Sequence, residues 1–263
     1  MRGYLAYLRA AIQVGVVYRA GFLFTVIGNV LYMIIAYFLW RSIYGSQETV
    51  SGLTFDQALL YVALGSTMFI LLKTYTDWGM AGEIRDGTIS VYLTKPIDYQ
   101  LYNLFATVGF SSTTLLTVTL PTVFMLLFVF RIHFALGVGY LFFPVSLVLA
   151  FVISFNFDYA VGLCAFYTES IWGISTTKDI LITVLSGALL PLQFFPAAVQ
   201  QVLMVLPFQA MYFTPLMMVT RPDQDAAVFL QMLAVQAAWA AATYVVSRML
   251  YNQAVKVLRV AGG

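Results

Sequence analysis

The stretch EIRDGTISVYLTKPIDYQLY, Glu83 to Tyr102, decides how this chain is read. Glu83, Arg85, Asp86, Lys95 and Asp98 crowd around Gly87 and Pro96, and apolar runs long enough to cross a membrane lie on either side. Gly87 reaches φ > 0 without steric cost and can end a helix begun near Asp77. The Thr88 side chain is placed to cap a second short helix over Ile89–Thr94. Pro96 stops that helix, and Asp98 is an N-cap for the next long one. The expected product is a helix–turn–helix elbow within residues 77–103. Its mixed charges suit a specific protein contact better than a lipid surface, which favours Lys and Arg alone. A solvated loop whose charges only set topology fits the same residues.

The rest of the chain fixes the solvent on either side of that elbow. Of 263 residues, 62% are hydrophobic and only 9% charged, with mean hydropathy +0.89. A soluble domain carries roughly 25% charged residues, so a water-soluble fold is excluded. The net charge of +2 supplies no basic field for nucleic acid. Cys164 is the single cysteine and cannot form an intrachain disulfide; it reads as a small buried hydrophobe. MRGYLAYLRA, at the N-terminus, lacks an apolar core followed by a small-residue cleavage site and is expected to be retained.

Six segments approach the length of about 20 apolar residues that a helical crossing needs. They are Phe22–Trp40, Gln57–Thr76, Leu104–Phe130, Leu136–Thr168, Ile180–Phe195 and Ala226–Leu250. The fifth is short, and the fourth is long enough to tilt or to extend beyond the bilayer. Their interiors lack strict alternation, which argues against a β-barrel. There is no internal repeat and no polar linker, so residues 1–263 read as one all-α transmembrane domain. An even number of spans puts both termini and the 77–103 connection on one side. That side carries ten of the 13 basic residues, leaving only Arg41, Arg131 and Arg221 opposite. The positive-inside rule makes it cytoplasmic.

Two further segments are amphipathic rather than spanning. In residues 1–20, Tyr4, Leu5, Leu8, Ile12 and Val16 recur at helical spacing, with Arg2 and Arg9 on the polar face. This predicts an interfacial helix leading into the first crossing. Residues 196–225 are too apolar for a solvated loop, and Pro196, Pro207 and Pro215 divide them into pieces too short to span. Two short helices dipping back into the outer leaflet satisfy both facts. Such broken elements survive there only when buried in protein or lining a cavity.

These features together resemble type-2 ABC exporter permeases, the membrane subunits of transporters powered by a separate ATPase. Glu83-x-x-x-Gly87-Thr88, an apolar run and Lys95-Pro96 resemble the family's cytoplasmic coupling segment. Ser186-Gly187-Ala188-Leu189-Leu190-Pro191, Phe195-Pro196, Leu206-Pro207-Phe208 and Pro215 resemble its fifth span and outer re-entrant hairpin. The resemblance covers essentially the whole chain. It implies that Glu83, Ile84, Arg85, Asp86, Gly87 and Thr88, with Lys95 and Pro96 at the exit, sit in a groove of the ATPase and transmit its closure. It implies a second cytoplasmic contact at Glu169, Lys178 and Asp179, and an outer gate at Pro191, Phe195, Pro196, Pro207, Phe208 and Pro215. Two permease subunits, alike or different, would stand above two copies of an ATP-binding cassette ATPase. The setting implied is a bacterial plasma (inner) membrane, and the cargo an amphiphilic or hydrophobic substrate moved outward. No G-x-x-x-x-G-K-[ST] occurs in the chain, so ATP and Mg are expected on the partner. The chain is expected to be a transport subunit in contact with lipid, with no cofactor, metal or enzyme site of its own.

Several residues remain as candidates for chemistry. Asp158 is the one acid well inside a span, where ionisable groups default to function. It can be protonated, bind a cationic substrate, or pair with Lys73 or another polar group. His133 is the only histidine and reads as an exposed outer-loop residue, not a metal ligand. Asn29 and Asn156 are expected to bond to neighbouring helices. Ser111–Thr119 can line a polar track or bond to their own helix backbone. Tyr4, Tyr7, Tyr37 and Trp40 read as interfacial belts. The rival readings are a proton-coupled carrier built on Asp158 and Glu169, against which the lack of repeats weighs, and a membrane scaffold.

Overall fold

A computed structural model describes residues 2–17, 19–130, 132 and 135–257. The expectations for Arg131, His133 and Arg259 fall outside that set. The chain is 80% helical, with two two-residue strands, Thr49–Val50 (β1) and Leu53–Thr54 (β2), paired antiparallel as a small hairpin. The all-α expectation therefore holds.

The chain opens with α1 (Arg2–Val17) and α2 (Arg19–Tyr44). After the hairpin come α3 (Phe55–Leu72), α4 (Thr76–Arg85), α5 (Ile89–Leu93) and α6 (Tyr99–Thr114). A π turn over Leu115–Thr119 joins α6 to α7 (Leu120–Phe128). Pro121 explains the turn: its ring cannot sit against the carbonyl four residues back, so the helix widens there. Then follow α8 (Gly139–Gly162), α9 (Trp172–Leu185), α10 (Ala197–Val205), α11 (Phe213–Thr220) and α12 (Ala226–Ala254). Several ends are capped as the side chains allow. Thr54 and Gln57 form a reciprocal capping box on α3, and Asp225 accepts from Ala227 N on α12.

Among the described residues, five helical stretches are long and apolar enough to cross a membrane: Leu23–Tyr44, Phe55–Arg85, Tyr99–Phe128, Gly139–Phe166 and Ala226–Val257. They match five of the six segments expected. Ile180–Phe195 departs from expectation, because α9 ends at Leu185 and the chain turns at Gly187, φ +80°. Its 14 residues rise about 21 Å, short of a hydrocarbon core of about 30 Å. The turn is held by Tyr61 Oη donating to Gly187 O at 2.8 Å and Phe213 N donating to Ser186 O at 3.1 Å. Gly65 on α3 makes room for it, since a Cβ there would lie 2.8 Å from Ala188 O.

The 196–225 segment is broken as expected, though not at every proline. Pro196 precedes α10 and Pro207 starts a 3-10 turn, whereas Pro215 sits in the first turn of α11, where its missing N–H costs nothing. Every residue of α11 is buried, while α10 exposes Val199, Val202 and Val205. The carbonyl of Ala210, freed by the break, accepts from Gln236 Nε2 on α12 at 2.7 Å, and Ser146 Oγ on α8 donates to Gln236 Oε1 at 2.8 Å.

The first helix is formed as expected but lies against protein. The Tyr4 ring stacks on Phe105, the Tyr7 ring meets Tyr102 edge-on, and Tyr4 Oη accepts from Asp98 N at 2.8 Å. Gly109 lets α6 approach α1, because a Cβ there would lie 2.6 Å from Leu8 O. Leu5, expected on the same stripe as Tyr4 and Leu8, is exposed instead.

Candidate functional site

The charged stretch folds as two short helices, α4 and α5, about a turn at Gly87. Gly87 takes φ +73° and closes α4 by donating to Ile84 O at 3.2 Å, and Asp98 accepts from Leu101 N at the start of α6. The Thr88 cap does not form. Thr88 Oγ1 turns back to Glu83 O at 3.3 Å, and α5 has no side-chain cap. Five residues give a helix too short to need one.

The underside of the elbow is a small core of its own. Met80 on α4, Ile89 on α5 and Tyr99 on α6 are buried with Phe155, Tyr159, Leu163 and Ala254. Ile84 packs against this core, and Glu83 turns in beside it, accepting from Tyr99 Oη at 2.5 Å and Tyr102 Oη at 3.5 Å. Glu83 and Ile84 are half-buried and turned toward this core, which makes them the least exposed of the elbow residues expected to meet a partner. Arg85, Asp86, Gly87 and Thr88 are exposed, with Arg85 Nε 3.5 Å from Asp86 Oδ1. Lys95 and Pro96 are exposed at the exit, the Lys95 ammonium standing 5.2 Å from the Tyr92 ring centroid. Asp98 pairs with Arg248 on α12 at 2.6 Å, which ties the exit to the last helix.

Above the elbow lies a buried ionic cluster that sequence reasoning resolved only in part. Lys178 on α9 donates to Asp77 Oδ2 on α4 at 2.8 Å and to Asp158 on α8. Ser175 Oγ donates to Asp77 Oδ2 at 2.6 Å, Trp78 N to Asp77 Oδ1 at 2.9 Å, and Thr74 Oγ1 to Asp158. Lys178 also lies 3.3 Å from Asp179, which pairs with Lys73. Asp77 is 0%, Asp158 4% and Lys178 8% exposed. Asp158 thus takes the pairing option, with Lys178 rather than Lys73. Of the three residues expected at a second cytoplasmic contact, Glu169 is exposed, Asp179 half-buried and Lys178 buried. Asp77 was missed as a functional residue. Part of the signal was present: Ser175 and Lys178 stand three apart, the spacing that stacks side chains on one helix face.

Other buried polar residues pair across helices. Asn29 Nδ2 donates to Thr122 Oγ1 at 3.0 Å and Thr67 Oγ1 at 3.3 Å, joining α2, α3 and α7. Asn156 bonds to Gln100, Thr243 and Ser247, joining α8 to α6 and α12. Ser112, Thr113, Thr114 and Thr117 donate to carbonyls four residues back, so the second option for this run holds at those positions.

Two clefts open beside the cluster. One of about 600 Å³ is lined by Lys73, Tyr75, Trp78, Phe110 and Asp179 among others. A second of about 410 Å³ is lined by Asn29, Tyr32, Ser66 and Leu189 among others. They share Thr25, Phe69 and Ile70, and so run on from one to the other along α2, α3 and α9. Of the residues expected at an outer gate, Pro191 and Pro215 are buried, Phe195, Pro207 and Phe208 half-buried, and Pro196 exposed.

Five apolar helices of spanning length, joined by buried polar contacts, define a multi-pass membrane protein. A family model described as ABC-2 family transporter protein matches residues 30–262, so the chain belongs to the ABC-2 transporter family. A comparison with curated proteins found no match. Members of this family are membrane transport subunits that work with an ATP-binding cassette partner.

Proposed function

We propose that the chain is the permease subunit of an ATP-binding cassette exporter and moves an amphiphilic or hydrophobic substrate outward. The observation that carries this reading is the elbow. Four exposed residues, Arg85 to Thr88, stand on a core built from α4, α5, α6, α8 and the end of α12. A rigid charged tip on a shared base suits transmission of force from a partner. Closure of an ATPase pair beneath the membrane pushes the tip and repacks the crossings. ATP and Mg belong to that partner, present in two copies, and a second permease subunit, identical or not, faces the first.

In this reading α9 covers about 21 Å of the sixth crossing and residues 186–195 complete it, which puts both termini in the cytoplasm of a bacterial inner membrane. Residues 196–225 form the outer hairpin and gate, supported by a fully buried α11 whose neighbouring broken backbone is satisfied by Gln236. The joined clefts, aromatic at one end and apolar along their length, suit a substrate with a polar head and a hydrophobic body. Asp158 lies inside an ionic cluster, which favours an exporter over a carrier that must load a proton there from water.

The test is purification of the tagged chain from its native membrane in mild detergent, with mass spectrometry of what it retains. The expected result is a P-loop ATPase that is lost when Arg85→Glu and Asp86→Lys are combined. Recovery of the chain alone, under conditions that preserve other membrane complexes, would refute the reading.

A further inference from the structure

Lys73, Thr74 and Tyr75 belong to neither α3 nor α4, and Tyr75 holds the left-handed conformation, φ 52°. A push on the tip therefore swings α4 about this break unless something else holds the helix. The holding contacts run to α8 and α9. Asp77, in the first turn of α4, takes Ser175 and Lys178 from α9, and the same ammonium takes Asp158 from α8. Gly162, at the end of α8, lets the two helices close, since a Cβ there would lie 3.1 Å from Asp77 Cα and 3.2 Å from Met80 Cβ.

We propose that Lys178 is the positioning residue of coupling: it locks α4 to α8 and α9, so that these move with the elbow as one body while α3 yields at the Lys73–Tyr75 break. This rests on the coupling role proposed above. An ammonium has three donors and can hold carboxylates from separate helices at one point. Separating any member strands a buried charge, so the three elements stay together under load. The charged groups facing Lys178 are Asp77 of α4, Asp158 of α8 and Asp179 of its own helix, and Lys73 from the break holds Asp179.

The test uses the full permease–ATPase complex in nanodiscs, with Cys164→Ala as background and spin labels placed in two pairs. Thr94→Cys with Ile174→Cys reports elbow against α9, and Thr94→Cys with Ile35→Cys reports elbow against α2; all three positions are exposed. Distances within a protomer are read by pulsed EPR before and after trapping with ATP and vanadate. In the otherwise native protein the Thr94–Ile35 distance should shift and the Thr94–Ile174 distance should not. With Lys178→Met added, the Thr94–Ile174 distance should shift or broaden on trapping. Should that variant not fold, Asp77→Asn, Asp158→Asn and Lys178→Gln together remove the charges without stranding any, and the same change is expected. A Thr94–Ile174 shift in the native complex, or a fixed distance in the variant that folds, overturns the lock alone. If nucleotide moves neither distance in the native complex, the coupling reading falls and the lock falls with it.

Discussion

Replacing Lys178 with Met should cost far more stability than replacing Asp158 with Asn, although both break the same ion pair. Asp77 and Asp158 bind one ammonium and so lie about 5 Å apart, two hydrogen-bond lengths around a shared nitrogen. Without the ammonium, two carboxylates at that separation repel by about 3 kcal/mol at an effective dielectric of 20. Breaking a buried pair by removing one partner costs about 3–5 kcal/mol, in the same range. Asp158→Asn removes a negative charge from a cluster that holds more carboxylates than ammoniums. Lys178 keeps Asp77, the new amide oxygen still accepts from Lys178, and Thr74 can accept from the new amide nitrogen. The cost should be no more than about 1.5 kcal/mol, that of one ordinary hydrogen bond.

The difference is large enough to measure on detergent-purified protein by thermal melting followed by size-exclusion chromatography. For a chain of this size roughly 2–4 °C of Tm accompanies each kcal/mol. Lys178→Met should melt on the order of 6–20 °C below the native chain, and Asp158→Asn within about 6 °C of it. Adding Asp77→Asn and Asp158→Asn to Lys178→Met should recover part of the loss, because no carboxylate is then left without a cation. Equal melting temperatures for the two single variants would refute the charge argument, and so would a triple variant worse than Lys178→Met alone.

Glu83→Gln should lower stability by about 1–3 kcal/mol through its tyrosine contacts while leaving ATPase capture intact; loss of the partner at unchanged Tm would return Glu83 to the surface contact. Gly65→Val should disrupt the turn at Gly187, since its Cβ meets a backbone carbonyl that cannot move aside, and protease accessibility around residue 190 should rise. Gln236→Leu leaves the Ala210 carbonyl and the Ser146 hydroxyl without their partner. It should cost about 0.6–1.7 kcal/mol, as intramembrane hydrogen bonds do, and an unchanged melting curve would remove Gln236 from the support of α11.

The boundaries of the elbow were legible because local chemistry sets them. Gly87 ends α4 and Asp98 starts α6 through bonds that reach no further than four residues. Five crossings were legible for a similar reason, since length and hydropathy are counted along the chain. Which way a side chain faces was not legible when the deciding partner is distant in sequence. Glu83 is turned inward by Tyr99 and Tyr102, and Lys178 by an acid 101 residues earlier and another 20 residues earlier. α9 misled for a third reason. Its apolar run continues through Ser186 to Phe195, and hydropathy cannot register that Gly187 takes φ +80°, with its carbonyl held by Tyr61 and that of Ser186 held by Phe213.

Three groups of buried polar side chains stand at breaks in the helices, whereas the Gln100–Asn156–Ser247 network joins unbroken ones. Asp77, Lys178, Asp158 and Thr74 gather at the α3–α4 break, Gln236 and Ser146 beside the freed carbonyl of Ala210, and Asn29 at Thr122, one residue after Pro121. A broken helix frees backbone groups that lipid cannot satisfy, and Gln236 meets one of them at Ala210. The same side chains fix which helix the broken one follows, since pulling them apart strands polar atoms. At the α3–α4 break the side chains belong to α8 and α9. The elbow is therefore joined to α3 by covalent connection but held to α8 and α9 by charge, and under load the chain should bend where it is joined and stay rigid where it is held.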